Sequence, residues 1–123
     1  MAIVAMEQDS LVYLRAEGIS APHAFTTRFG GVSTDYLSSL NLAPTRGDDP
    51  ENVVKNYEIL GQALGFDPGN AVLARQVHSD IVYRAEEKDR GAGLFAPRLP
   101  DCDALVTDVP GLALVVFSAD CTP

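Results

Sequence analysis

The sequence predicts an α/β (α+β) fold, with three layers arranged α/β/α around a mixed sheet. Three observations favour this class: several short segments rich in β-branched residues, one strongly marked helix, and an apolar run at residues 112–119. Apolar side chains occupy consecutive positions in that run, which is typical of a strand buried on both faces. Such a strand needs covering layers on either side, as in a three-layer α/β domain.

The predicted strands are short and rich in β-branched or aromatic residues. They are LVYL from Leu11, HAFTTR from His23, AVLARQVH from Ala71, IVYRA from Ile81, ALVT from Ala104 and LALVVFSA from Leu112. The segment DVPG at residues 108–111 predicts a tight turn before the last strand. The strands therefore flank one helical segment, which lies between the second and third of them.

The helix is predicted from residue 50 to residue 64, within DPENVVKNYEILGQALGFDPG. Asp49 is a favourable N-cap, Pro50 suits the first helical position, and Gly65 suits the residue after the last turn. Apolar side chains recur on one stripe that should pack on a sheet, namely Val53, Tyr57, Leu60 and Leu64.

Composition and charge exclude several functional classes. The chain has 123 residues, 46% of them hydrophobic, and a formal net charge of −8, which disfavours nucleic acid as a partner. The N-terminal MAIVAMEQDS has no basic region and too few apolar residues for a signal peptide or a membrane span. We therefore expect no membrane partner and a cytoplasmic location, with the two cysteines as free thiols or metal ligands.

The segment TTRFGGVS, residues 26–33, is a candidate anion site. Arg28 precedes Gly30 and Gly31, and glycines allow a tight turn whose N–H groups can face a phosphate or carboxylate. Locally, the same residues are equally consistent with a hairpin turn that carries a solvated arginine.

Two further segments carry candidate metal ligands, His78 in RQVHSD and Cys121 in SADCTP. A histidine at a strand end can be a ligand, a general base or a partly buried side chain, and a free cysteine is often a small buried hydrophobe. Asp120 would raise the thiol pKa, whereas zinc would deprotonate the thiol and also accept imidazole. Catalytic zinc usually has three protein ligands, and no third with recognised spacing is visible, although Asp103 and Asp120 could contribute.

Several motifs occur in order and together resemble the YfiH-like family, whose members are described as laccase-domain or polyphenol oxidase proteins and as purine nucleoside phosphorylases. They are TTRFGGVS, YLSSLNLA, GDDPENVVKN, QVHS, DALVT and PGLALVVFSADCTP. The resemblance implies a YfiH-like fold and a zinc held by His78, Cys121 and a histidine in a downstream HAGWRG segment. Residues 1–123 are thus expected to be the N-terminal part of a single, apparently truncated domain, without the C-terminal part that carries the third ligand.

The resemblance also implies a function: zinc-dependent phosphorolysis of purine nucleosides (adenosine, inosine and methylthioadenosine), together with adenosine deamination. Arg28, Gly30 and Gly31 are the residues we expect to contact phosphate or substrate, and Asn41 is expected to help hold their loop. Copper, suggested by the laccase name, is disfavoured because two histidines cannot build a multi-copper oxidase site. We expect this fragment to be inactive alone.

Two other functions remain open. Cys121 and His78 could form the nucleophile and base of a cysteine hydrolase or deamidase. Alternatively, the chain is a non-catalytic half-domain that self-associates or pairs with a complementary segment through an exposed sheet edge. Cys102 could compete for the metal or form a disulfide if it lies near Cys121.

Overall fold

The computed structural model describes residues 2–118, and the chain divides into two compact units, Met1–Gly65 and Phe66–Pro123. Within the described residues, the first unit contains three strands and an α-helix, and the second contains four strands. The strand pairs are antiparallel in the first unit and parallel in the second. The predicted mixed α/β (α+β) class is confirmed.

The sheet of the first unit is antiparallel and comprises β1 (Ile3–Gln8), β2 (Leu11–Ala16) and β3 (Phe25–Thr26). A two-residue loop joins the first two strands, and Asp9 adopts a left-handed φ of 55°, which aspartate tolerates in tight turns. Strand β1 was not predicted, and β3 is shorter than the predicted HAFTTR segment. Leu11 and Tyr13 are buried, so alternate side chains of β2 point into the unit.

The helix α1 (Pro50–Leu64) has the predicted bounds. The Asp49 carboxylate accepts a hydrogen bond from the Glu51 N–H at 3.0 Å, and Gly65 ends the helix with a left-handed φ of 85°. Its buried residues are Val53, Asn56, Tyr57, Leu60 and Gly61. Asn56 is therefore buried on a face that the sequence predicted to be apolar. No helix in residues 2–118 is long and apolar enough to cross a bilayer.

The second unit contains two parallel strand pairs, each of three-residue strands. Strand β4 (Ala71–Leu73) pairs with β7 (Ala113–Val115), and β5 (Val82–Arg84) pairs with β6 (Ala104–Val106). All four strands are shorter than predicted. The core of this unit consists of Val72, Ala85, Ala92, Leu99 and Cys102.

The expectation that the strand at residues 112–119 is buried on both faces is wrong for its described part. Leu114 is 37% exposed and Val116 is 48% exposed. In the described part of the second unit, β4 is the ladder partner of β7 and no α-helix is present to cover it. A run of apolar residues indicates that burial would be favourable, but whether the strand is buried depends on the elements that pack against it.

Candidate functional site

His78 lies in a loop, residues 76–80, between β4 and β5. The segment that precedes β6 closes both ends of this loop. At one end the Cys102 N–H donates to the Arg75 carbonyl at 2.9 Å, and at the other the Asp103 N–H donates to the Ile81 carbonyl at 2.9 Å. An ion pair between Arg75 Nε and Asp101 Oδ1 at 3.3 Å reinforces the first end. The loop is thus held at its base by residues more than twenty positions later in the chain.

The Asp103 carboxylate fills the inside of this loop. Its Oδ1 accepts hydrogen bonds from the backbone N–H groups of Val77, at 2.9 Å, and of His78, at 2.7 Å. Its Oδ2 accepts from the N–H of Ser79, at 2.9 Å, and from the Ser79 hydroxyl, at 2.7 Å. Three successive N–H groups therefore converge on one carboxylate, an arrangement that elsewhere binds external anions.

The four hydrogen bonds between the Asp103 carboxylate and residues 77–79, called the clamp below, hold His78 in an uncommon backbone conformation. His78 has a left-handed φ of 60°, which costs a non-glycine residue about 1–2 kcal/mol. Its side chain is exposed, and its ring makes no hydrogen bond to another residue of the described chain. The imidazole is consequently available to bind a metal or to exchange a proton.

Asp103 holds this loop, a structural role that the sequence did not reveal. Partial desolvation raises the pKa of Asp103. The hydrogen bonds from the Ser79 hydroxyl and from the N–H groups of Ser79, Val77 and His78 outweigh this effect and lower the pKa to about 2. The expectation that Asp103 could supply a missing metal ligand is not supported, because both its oxygens serve the loop. No local pattern could reveal this, since the partners lie 24 to 26 residues away.

Two other side chains that could bind metal are occupied elsewhere. The His23 Nε2 accepts the Ala16 N–H at 2.9 Å, so its Nδ1 carries the proton and donates to the Ala21 carbonyl at 2.7 Å. Cys102 is fully buried in the apolar core of the second unit, which disfavours competition for a metal, and its pairing with Cys121 stays a prediction. Residues 2–118 contain no cluster of three or more metal-binding side chains. Cys121 and Asp120 lie outside the described residues.

Arg28 lies in a loop of the first unit that is fixed through its backbone. The Arg28 carbonyl accepts hydrogen bonds from the N–H groups of Ser39, at 2.7 Å, and Leu40, at 2.9 Å. Its Nε donates to the Ser38 carbonyl at 3.0 Å, and the side chain is exposed. No carboxylate in the described part of the chain lies within ion-pair distance of Arg28. The two terminal nitrogens of the guanidinium can therefore bind an anion.

Gly30 and Gly31 lie in this loop but do not offer free N–H groups. Both N–H groups donate to the Ser39 hydroxyl oxygen, each at 3.1 Å. An added Cβ at Gly31 would overlap the Ser39 carbonyl and lie 2.6 Å from Leu40 Cα. Gly31 is thus required for close contact with the loop segment of Ser39, and Gly30 for close contact with Leu11 of β2. An anion could reach their N–H groups only by displacing Ser39.

A buried polar network fixes the same loops to α1. Asn56, fully buried, accepts the Val32 N–H at 2.8 Å and donates to the Ser33 hydroxyl at 2.9 Å and to the Asn41 carbonyl at 2.8 Å. Ser33 in turn donates to Asp48 Oδ2 at 2.5 Å, and the Asn41 side chain donates to the same oxygen at 3.2 Å. The Asn41 side chain reaches this loop only through Asp48 and Ser33, so its role in holding the loop stays a prediction.

Asp48 makes the network sensitive to pH. The hydrogen bond from Ser33, which is the largest cause, lowers the Asp48 pKa from its ordinary 3.8. Desolvation raises this pKa, and hydrogen bonds from Asn41, Asn52 and the Asp49 N–H lower it again. A folded-state pKa below the unfolded one stabilises the fold above about pH 4, and this contribution is lost as pH falls through the folded value. We expect the melting temperature of Asp48→Asn to lie below that of the wild type at pH 7, with the difference shrinking towards pH 3. A constant difference over that range would contradict the assignment.

The strands and helix define a mixed α/β protein. Its exposed candidate groups are the His78 imidazole, which can bind a metal, and the Arg28 guanidinium, which can bind an anion. The chain belongs to the family described as multi-copper polyphenol oxidoreductase laccase, whose model matches residues 22–123. It is 42% identical over 118 residues to a purine nucleoside phosphorylase of Deinococcus radiodurans, covering 96% of this chain and 43% of that protein. It is 43% identical over 104 residues to the purine nucleoside phosphorylase ORF3 of Streptomyces griseus, covering 85% of this chain and 41% of that protein.

Solved structures of relatives show the same fold. YlmD of Geobacillus stearothermophilus matches with a TM-score of 0.82 and 33% identity, over 94% of this chain and 44% of that one. YfiH of Bacillus licheniformis matches with a TM-score of 0.82 and 31% identity, over 94% of this chain and 43% of that one. The predicted membership of the YfiH-like family is confirmed, and the chain spans less than half the length of these relatives.

Proposed function

We propose that the protein to which this chain belongs is a zinc-dependent purine nucleoside phosphorylase that also deaminates adenosine, with adenosine, inosine and methylthioadenosine as substrates. The names of its relatives support the phosphorylase class. The observation that carries the proposal is the exposed His78 imidazole, presented on a loop that is clamped in a strained conformation. Strained residues that the surrounding structure stabilises are concentrated at functional sites.

His78 and Cys121 would hold the zinc, with a third donor from outside this chain. An imidazole and a thiolate are donors that zinc prefers, and a reducing compartment such as the cytoplasm would keep the thiol available. When bound, the ion supplies Lewis-acid chemistry and lowers the pKa of a bound water. The residues of this chain do not fit a multi-copper site, because it has two histidines and the ring of His23 is already hydrogen-bonded at both nitrogens.

Arg28 is the residue of this chain best suited to bind phosphate. Its guanidinium presents paired N–H donors in the geometry that phosphate oxygens accept, and its loop is held by backbone hydrogen bonds. In phosphorolysis, a phosphate oxygen forms a bond to the sugar carbon as the bond to the purine nitrogen breaks. Arg28 would orient the phosphate for that attack, while the Asn56 network keeps the Arg28 loop in place.

The proposal is tested with the intact protein by measuring zinc content and phosphorolysis of inosine and adenosine. We expect His78→Asn to lose zinc and activity, because asparagine tolerates the left-handed backbone but lacks the imidazole. We expect Arg28→Ala to raise the KM for phosphate about 10- to 100-fold, the loss of a charged hydrogen bond. The control Arg98→Ala, also an exposed arginine, should change neither. Retention of activity with unchanged phosphate dependence in Arg28→Ala would refute the phosphate assignment.

The cysteine hydrolase alternative uses the same exposed imidazole as a base for Cys121. The two functions differ in whether the Cys121 thiol binds zinc or is free to act as a nucleophile. If Cys121 is a zinc ligand, iodoacetamide should alkylate it only after the metal is removed by a chelator. Rapid alkylation of zinc-loaded protein, with stoichiometric loss of hydrolase activity, would favour the hydrolase instead.

The half-domain alternative is favoured by exposed apolar side chains on the strands of the second unit. Val82 is 60% exposed and Val106 is 51% exposed, in addition to Leu114 in β7 and Val116 directly after it. Exposed apolar side chains on a sheet favour association, either with a complementary segment or with a second copy. We expect the 123-residue chain to associate and to lack phosphorolysis, and a version extended past Pro123 to be active. Equal activity of both versions would contradict this expectation.

A further inference from the structure

We propose that Asp103 is a positioning residue for His78: its carboxylate holds the backbone of residues 77–79 so that the His78 side chain leaves the chain in one fixed direction. This inference rests on the proposed function for the role of His78, but the clamp itself is a property of the chain without metal. It is carried by four hydrogen bonds of 2.7 to 2.9 Å between one side chain and three successive residues.

The direction of the Cα–Cβ bond, from which an imidazole projects, depends on the backbone that carries it. At His78 the left-handed φ of 60° places the side chain differently from an ordinary extended residue, and a non-glycine residue leaves that conformation unless it is held there. The described contacts at His78 are made by its backbone N–H and not by its ring. The carboxylate that accepts this N–H is therefore the group that fixes the direction of the His78 Cα–Cβ bond, and with it the region that the ring can reach.

The position of Asp103 in the chain explains why it can do this. It lies directly before β6, and its own N–H is bonded to Ile81, beside the first residue of β5. The carboxylate is thereby anchored to the strand pair β5–β6 while it grips the loop. A ligand that is held in place before metal arrives loses less freedom on binding, which improves metal affinity.

The test compares Asp103→Asn with the wild type by NMR and by zinc titration against a chromogenic chelator. Asparagine keeps the shape but turns one acceptor oxygen into a donor facing the Ser79 N–H. We expect amide protection of Val77, His78 and Ser79 to be lost, the His78 ring signal to move towards that of a free histidine, and zinc affinity to fall about tenfold. His23 is the internal control, since its ring is bonded at both nitrogens.

Matched variants separate positioning from general stability. Asp108→Asn removes an exposed carboxylate of the same unit that pairs with Arg84, and Val72→Ala lowers the stability of the core of the second unit; both should leave the His78 signal and the zinc affinity unchanged. If Asp103→Asn does not fold, Asp103→Glu keeps the charge but moves the carboxylate by one methylene, and should also shift the ring signal. An unmoved His78 signal in the folded variant, or a tenfold loss of zinc affinity in Val72→Ala as well, overturns the inference. Failure of the wild type to bind zinc refutes the proposed function alone, because the ring and amide signals still report the clamp.

Discussion

Gly31→Ala is expected to destabilise the first unit by about 3 kcal/mol or more. An added Cβ would overlap the Ser39 carbonyl and lie 2.5 Å from Asn56 Oδ1 and 2.6 Å from Leu40 Cα. Two of these neighbours are backbone atoms of a loop that is itself bonded to Arg28, so the clash cannot be relieved by turning a side chain. Urea unfolding of the wild type and the variant, followed by circular dichroism, measures the loss.

Gly69→Ala is the matched control for this substitution. Neither glycine has a left-handed φ, but the Cβ at Gly69 would meet nothing closer than Asp67 Oδ1 at 3.3 Å. We therefore expect its free energy of unfolding to change by no more than about 0.5 kcal/mol. Similar losses for the two variants would show that the contact between the Gly31 loop and Ser39 is not tight.

Asn56→Ala is expected to lower the free energy of unfolding by about 2–4 kcal/mol. The fully buried amide satisfies the Val32 N–H, the Ser33 hydroxyl and the Asn41 carbonyl, and alanine would leave all three without that partner. Because this network also holds the Arg28 loop, the proposed phosphate binding should weaken in the same variant. The measurements are urea unfolding and the KM for phosphate.

Asn52→Ala, one helical turn earlier in α1, provides the comparison. Asn52 is half-buried and its side chain donates one hydrogen bond of 3.3 Å, to Asp48 Oδ1. We expect a loss below about 1 kcal/mol, since water can replace this partner. If both asparagine variants lose the same free energy, the buried position of Asn56 is not what stabilises the loops.

The helix was predictable because its determinants are close together in the sequence. Asp49, Pro50 and Gly65 act on the backbone within one turn of themselves, and the structure has α1 at the predicted bounds. Among the described strands, β1 was not predicted, β2 is longer than the predicted LVYL, and β3 to β7 lie in the predicted places but are shorter. Hydrophobic and β-branched residues indicate an extended chain, whereas the number of residues that pair depends on the neighbouring strand.

The candidate site was predictable in its residue types and not in its geometry. Motifs drew attention to Arg28 and His78, and both side chains are exposed on loops held by the backbone. The sequence suggested that Gly30 and Gly31 offer free N–H groups. In the structure, both N–H groups donate to the hydroxyl of Ser39, which lies eight positions beyond Gly31. From the sequence, Asp103 could be considered only as a metal ligand, whereas its hydrogen bonds show that it holds the His78 loop.

The sequence by itself determined the mixed α/β class, the helix with its two ends and the family, because each follows from local backbone preferences or from an ordered series of motifs. The tertiary structure alone decided that Asn56 is a buried anchor, that Cys102 belongs to the core and that Asp103 clamps the His78 loop. The physical reason is distance along the chain. A hydrogen bond between residues 23 to 26 positions apart leaves no periodic or neighbouring pattern, and only the folded chain brings its donor and acceptor together.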